Sequence, residues 1–171
     1  KTMQIGMLGN IEPRKGVLEF VEYFGKMKIP NIKLSIAGNA KDELYSRKIK
    51  RHIIENELEN KITIEGYVKD LNNWYKSNDC IISNSTHEGT QTSIVEGVST
   101  GCWAISKNWD GAEEVVDEKG IFTNINELEK CINLFYGWND EERQKYINKA
   151  RKRLISKLTG RPRMHELILK L

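Results

Sequence analysis

Short apolar runs alternate with amphipathic or polar stretches along almost the whole chain. Met3–Leu8, Lys33–Ala37, Lys61–Glu65, Cys80–Ser83, Cys102–Ser106 and Gly120–Thr123 predict strands. Between and after them, helices are predicted over Gly16–Met27, Asp42–Glu55, Asp70–Ser77, Thr92–Thr100, Ile125–Tyr136 and Asp140–Lys157. Gly160-Arg-Pro162 marks a break before a last short helix at Met164–Leu169. The strands are continuous apolar runs (Ile-Gly-Met-Leu, Leu-Ser-Ile-Ala, Cys-Ile-Ile-Ser), which is how strands covered on both faces read. The predicted fold is therefore α/β, a doubly wound parallel sheet of about six strands with helices on both faces. Right-handed crossovers place every strand's C-terminal end on one edge, where ligands of such sheets bind. Gly9-Asn10, Gly38-Asn39, Gly66-Tyr67 and Ser83–Glu88 all follow strands and should converge there.

A length of 171 residues reads as one domain, 1–171, with 140–171 as a C-terminal helical segment. The first residues read as a core strand with no leader ahead of them, as in a fragment cut from a longer chain. No run of 18 apolar residues occurs, so no membrane-spanning helix is expected. Cys80, Cys102 and Cys131 are odd in number and form no C-x-x-C, which reads as buried thiols in a reducing cytoplasm. A net charge of +3 is too small to argue for nucleic acid. The charge is uneven, however, with ten Lys/Arg against three Glu from Glu141 to Leu171. That face is either solvated or a peripheral contact for an anionic membrane.

Candidate chemistry lies in two segments. In Gly9-Asn-Ile-Glu-Pro-Arg14-Lys15-Gly16 a lysine opens a helix, against the helix dipole. Opposite a diphosphate the same lysine is well placed, above ready-made N–H donors. The segment fits neither G-x-x-x-x-G-K-S/T nor G-x-G-x-x-G, which disfavours a P-loop NTPase or a dinucleotide enzyme. In Ser83-Asn-Ser-Thr-His-Glu88-Gly-Thr-Gln-Thr-Ser-Ile-Val-Glu96-Gly a strand–loop–helix corner carries two glutamates. Such a corner suits a phosphorylated ligand, and the carboxylates suit sugar hydroxyls. Ser85-x-x-Glu88 and Ser93-x-x-Glu96 also fit the capping-box pattern, which leaves a purely structural use open. His87 reads as a general base or as a surface residue. Trp74, Trp103 and Trp138 read as core, and Trp109, before an Asp-Gly turn, as exposed. No Asp-x-Asp pair is present to bring a divalent ion to a diphosphate.

Taken in order, these segments resemble the C-terminal, donor-binding domain of the family 4 (group 1) glycosyltransferases, one half of a GT-B fold. The parts are Gly9–Gly16 with Lys15, Leu34-Ser-Ile-Ala-Gly38, Ile64-Glu-Gly66-Tyr-Val68, Asp79–Ser85, Glu88 through Glu96, and Gly111-Ala-Glu-Glu114-Val-Val. The resemblance implies that Lys15 holds the diphosphate of a nucleotide-sugar donor, Glu88 the hydroxyls of the transferred sugar and Glu96 the ribose. Backbone at Gly66, Tyr67 and Val68 would meet the base. Backbone of Thr90, Gln91, Thr92 and Ser93 would take the terminal phosphate. Gly38 falls within the same binding edge. No metal and no other cofactor is implied.

The chain departs from the family pattern at several places. Asn10 stands where an arginine is usual, so Arg14 would substitute or the diphosphate has one cation fewer. Gln91 brings a side chain where a glycine usually admits phosphate to the backbone, and Asp110 replaces a glycine in a later loop. The implied activity is transfer of a hexose-type sugar, with retention, to a glycan or lipid-linked acceptor, with Lys15 and Glu88 as catalytic groups. The acceptor domain would be a missing N-terminal part of the same polypeptide, leaving this chain inactive alone. The implied location is cytoplasmic, with peripheral contact at the inner membrane face. A non-catalytic nucleotide-binding module or a GT-B-like sugar-nucleotide epimerase are the alternatives.

Overall fold

The computed structural model describes residues 2–89 and 91–158. Thr90, the break at Gly160–Pro162 and the predicted helix at Met164–Leu169 lie outside the described residues. Six strands, β1 (Met3–Leu8), β2 (Ile32–Ala37), β3 (Ile62–Gly66), β4 (Cys80–Ser83), β5 (Trp103–Lys107) and β6 (Ile121–Phe122), form one sheet. All pairings are parallel, in the order β3-β2-β1-β4-β5-β6. This is the doubly wound order in which winding reverses between β1 and β4, opening a crevice at their C-terminal ends.

Helices cover both faces. On one side lie α1 (Val17–Lys26), α2 (Glu43–Glu55) and α6 (Ile125–Gly137), which bury Phe20, Phe24, Ile49, Ile53, Leu128 and Phe135 against Ile5, Leu34 and Ile82. On the other lie α3 (Leu71–Lys76), α4 (Thr92–Thr100), the short α5 (Ala112–Val115) and α7 (Asp140–Leu158). There Trp74, Tyr75, Ile94, Val95, Val98 and Leu154 pack on Ile81, Cys102 and Ala104. An aromatic cluster seats α6 and α7, with the Trp103 ring 4.0 Å from Tyr146, 5.0 Å from Trp138 and 5.3 Å from Phe135. All three cysteines are free and buried.

Burial follows position in the sheet. All four β4 residues are buried, as the continuous apolar run predicts. Strand β3 instead exposes Thr63 and Glu65, because it is the outermost strand and α2 covers only one of its faces. Trp109 is half-buried, not exposed, and lies over Gly111.

Two basic residues of the C-terminal stretch are occupied within the fold. Arg151 donates to the carbonyls of Val98 (3.1 Å) and Ser99 (2.8 Å), closing the C-terminus of α4 where carbonyls lack intrahelical partners. Arg153 donates to the Glu113 carbonyl and pairs with Asp117 at 3.7 Å. Lys152 between them is exposed. Among the described residues no helix is long and apolar enough to cross a membrane.

Candidate functional site

The β1 loop is shaped by its proline and glycine. Pro13 starts a single 3-10 turn over Pro13–Lys15, and Gly16 ends it in the left-handed region at φ 61°. Gly16 lies so close to the end of β4 that an added Cβ would stand 2.5 Å from the Asn84 carbonyl oxygen. Only glycine meets both demands.

That closeness joins two loops that are far apart in sequence. The Asn84 side chain donates to the Gly16 carbonyl at 2.8 Å and to Glu19 at 2.9 Å. Glu19 also takes bonds from Lys107 (2.8 Å) and Tyr23 (2.9 Å). Thr86 N–H donates to the Arg14 carbonyl, and Arg14 Nη1 donates to the His87 carbonyl at 3.0 Å. Lys15 then pairs with Glu88, 73 residues away, while Arg14 approaches the other Glu88 oxygen at 3.5 Å. The lysine that works against the helix dipole thus has a structural partner, which sequence pattern alone did not supply.

Burial raises the pKa of the Glu88 carboxyl. Hydrogen bonds from Lys15 and Ser85, with the charges of Lys15 and Arg14, outweigh burial and hold it below the ordinary range. Such a group stabilises the folded chain above its unfolded value, about 4.3. The contribution is lost as pH falls through the folded value. The stability gap between wild type and Glu88→Gln should therefore shrink as pH falls below the unfolded value and through the lowered folded one. Urea unfolding at a series of pH values would read this, and a constant gap would contradict it.

Glu96 sits in the second turn of α4 and accepts a 2.7 Å bond from the Tyr75 hydroxyl. Burial first, and Glu96 second, raise the Tyr75 hydroxyl well above its usual value, so it stays a donor. A carboxylate has room for further donors beside this one. Neither glutamate serves in a capping box: Glu88 lies in the loop, and Ser93 and Glu96 both lie inside α4. Helices α2, α3 and α6 are capped by Asp42, Asp70 and Asn124. The N-cap residue of α4, Gln91, makes no such bond, and no acidic residue stands in its first turn.

A cleft of about 400 Å³ opens at the β1/β4 crevice. Asn10, Arg14, Lys15, Glu88, Gln91, Thr92, Ser93 and Glu96 all line it, with Leu8 and Leu71, which sequence reasoning did not single out. Other expected residues stand elsewhere. Gly38 is structural: φ is +139°, and a Cβ would lie 1.9 Å from the Gly9 carbonyl oxygen. Tyr67 is 70% exposed and Val68 packs against the second core cluster, neither of them lining this cleft. Gln91 lines the cleft while its side chain is buried, bonded to Ser83 and Ser106. His87 is exposed. Among the described residues no cluster of His, Cys, Asp or Glu is arranged to hold a metal ion.

The chain is similar in sequence and in fold to known proteins. It is 28% identical over 115 residues to the poly(glycerol-phosphate) alpha-glucosyltransferase of Bacillus subtilis, covering 66% of this chain and 17% of that enzyme. The glycosyltransferase of Rickettsia africae superposes with a TM-score of 0.83 at 26% identity, over 99% of this chain and 48% of its own. HepE of Anabaena, solved with UDP and glucose, superposes with a TM-score of 0.77 at 18% identity, over 99% and 47%. The chain thus spans about a sixth of the curated relative and about half of these two structures. The family model described as glycosyl transferases group 1 matches residues 1–153, and the chain belongs to that family.

Proposed function

We propose that this chain is the donor-binding half of a retaining glycosyltransferase that moves a hexose-type sugar from a nucleotide diphosphate to a glycan or lipid-linked acceptor. The observation that carries the reading is the pairing of Lys15 with Glu88 in the switch-point crevice beside the start of α4. It puts a cation for phosphate next to a carboxylate for sugar hydroxyls, and Glu96 lies in the same cleft. Lys15 and the α4 start stabilise negative charge on the departing diphosphate as the glycosidic bond breaks towards an oxocarbenium-like state. Glu88 orients the sugar, and Glu96 accepts from the ribose. Attack comes from the same face, with the acceptor held by a second domain of a longer polypeptide. No metal is needed in this scheme, because Lys15, Arg14 and the helix start meet the diphosphate charge. The likeness to UDP-bound HepE makes UDP the first nucleotide to try.

Magnitudes give Glu96 a necessary part. A helix N-terminus contributes roughly 0.3–2 kcal/mol to an anion. A charge-assisted bond adds about 1.5–3 kcal/mol. Together they fall short of the ~8 kcal/mol of micromolar binding. Ribose and base contacts make up the difference. Calorimetric titration of UDP, GDP and ADP into wild type and Glu96→Ala tests this. The variant should lose roughly tenfold or more for whichever nucleotide binds. Failure of all three to bind, or equal affinities in both chains, would exclude the reading. The protein would work at the cytoplasmic membrane face if its acceptor is lipid-linked. With Arg151 and Arg153 engaged in the fold, any such contact falls to other basic residues, Lys152 among them.

A further inference from the structure

The two glutamates of the cleft are held by opposite kinds of group. Glu88 is met by the cations Lys15 and Arg14. Glu96 is met by a neutral hydroxyl, that of Tyr75, which donates to its Oε2 at 2.7 Å. Among the described residues no lysine or arginine pairs with Glu96. A cation would neutralise the carboxylate before a ligand arrived. A phenol orients it and leaves its charge in place, with acceptor capacity to spare.

The surroundings of Tyr75 suit it to fix that direction. Helix α3 brings Leu71 to the cleft wall, and Tyr75, one turn further on, reaches Glu96 in α4. The Tyr75 side chain is fully buried, and its ring meets Trp74 edge-on at 5.3 Å. Trp74 in turn donates its indole N–H to Ser35 Oγ in β2 at 2.9 Å. The Tyr75 carbonyl accepts from the Asn78 N–H at 3.0 Å and from the Cys102 thiol, just ahead of β5, at 3.2 Å. A tyrosine has only two side-chain torsions, and this packing holds both. Burial also keeps the hydroxyl protonated. The carboxylate so held lines the cleft, where it can accept from hydroxyls and repels phosphate.

We infer that Tyr75 is a positioning residue for Glu96: its hydroxyl orients the carboxylate and leaves it charged and open to ribose hydroxyls, so that the cleft selects ribonucleotides. This deepens the donor-binding reading and rests on it, because that reading brings a nucleotide to Glu96. Tyr75, only 1% exposed, acts through Glu96 and does not touch the ligand.

The test is Tyr75→Phe, which removes the hydroxyl and keeps the ring. Calorimetry with UDP and with its dideoxy analogue, which lacks both ribose hydroxyls, gives the preference for a complete ribose. Wild type should favour UDP about tenfold or more. Tyr75→Phe should cut that preference about three- to tenfold, weakening UDP while the analogue changes less than about twofold. A tyrosine that only packs the core would lower the melting temperature or weaken both nucleotides alike. An unchanged preference would therefore overturn the inference. In a Glu96→Ala background the same substitution should have no further effect on UDP, and an added loss of about threefold or more would also overturn it. If Tyr75→Phe does not fold, carbon NMR of the Tyr75 ring in wild type decides. Its signal should move with UDP and stay in place with the analogue; equal movement with both would contradict the inference. The possible failures are distinguishable. Wild type that binds neither nucleotide ends the donor-binding reading and this inference together. A wild-type preference for UDP that survives intact in Tyr75→Phe ends this inference alone.

Discussion

Lys15→Ala is expected to weaken nucleoside-diphosphate binding roughly ten- to a hundredfold, the loss of one charge-assisted contact. The lysine ammonium has three donors, so its bond to Glu88 does not exhaust it. A phosphate entering the cleft would share the cation with Glu88. The same substitution removes the hydrogen bond and charge that do most to hold Glu88 ionised. The Glu88 titration should therefore move up in Lys15→Ala, with Arg14 at 3.5 Å as the remaining cation. Calorimetry with UDP and carbon NMR of Glu88 read the two effects separately. Affinity unchanged in a folded Lys15→Ala would mean that Lys15 serves only as a structural counterion. Lys15→Arg is a poor rescue, because a planar fork does not replace a compact ammonium at so close a pairing.

Gly38→Ala is expected to be the most damaging single change to stability, at about 3 kcal/mol or more. The backbone there sits at φ +139°, and the added carbon would fall 1.9 Å from the Gly9 carbonyl oxygen. Neither partner can yield cheaply. Gly38 N–H is bonded to the Gly66 carbonyl at 2.7 Å and Gly9 N–H to the Ala37 carbonyl at 3.0 Å, so three strand ends are locked together at this point. Moving Gly9 would also move the loop that carries Lys15. Gly137→Ala is the control, because nothing lies within 4 Å of its added carbon. Urea unfolding should show a large fall in midpoint for Gly38→Ala and little change for Gly137→Ala. Similar midpoints for both would mean that the β1 and β2 ends are not held as described.

The elements were legible in the sequence wherever burial is two-sided. Met3–Leu8, Cys80–Ser83 and Thr92–Thr100 have the bounds that their apolar runs and helical spacing predict. Strand β5 runs one residue later than predicted, at Trp103–Lys107. The residue types that line the cleft could also be read, since the proposed phosphate and sugar ligands ask for cations, N–H donors and carboxylates. Side-chain direction could not. Whether Gln91 faces the ligand or the core depends on Ser106, whose strand is placed beside β4 only by the order of the sheet. Likewise the pairing of Lys15 with Glu88 needs β1 and β4 to be neighbours, although two strands separate them in sequence. Arg151 reads as a surface charge until the fold brings the end of α4 against α7.

The most direct test is an amide NMR titration of the chain with UDP. Shifts are expected to concentrate at Gly9–Gly16, at Ser85–Gly89 and in the first two turns of α4 up to Glu96, with α2 and α6 unmoved. An absence of shifts at millimolar UDP, or shifts gathered away from the β1/β4 crevice, would contradict donor binding in this cleft.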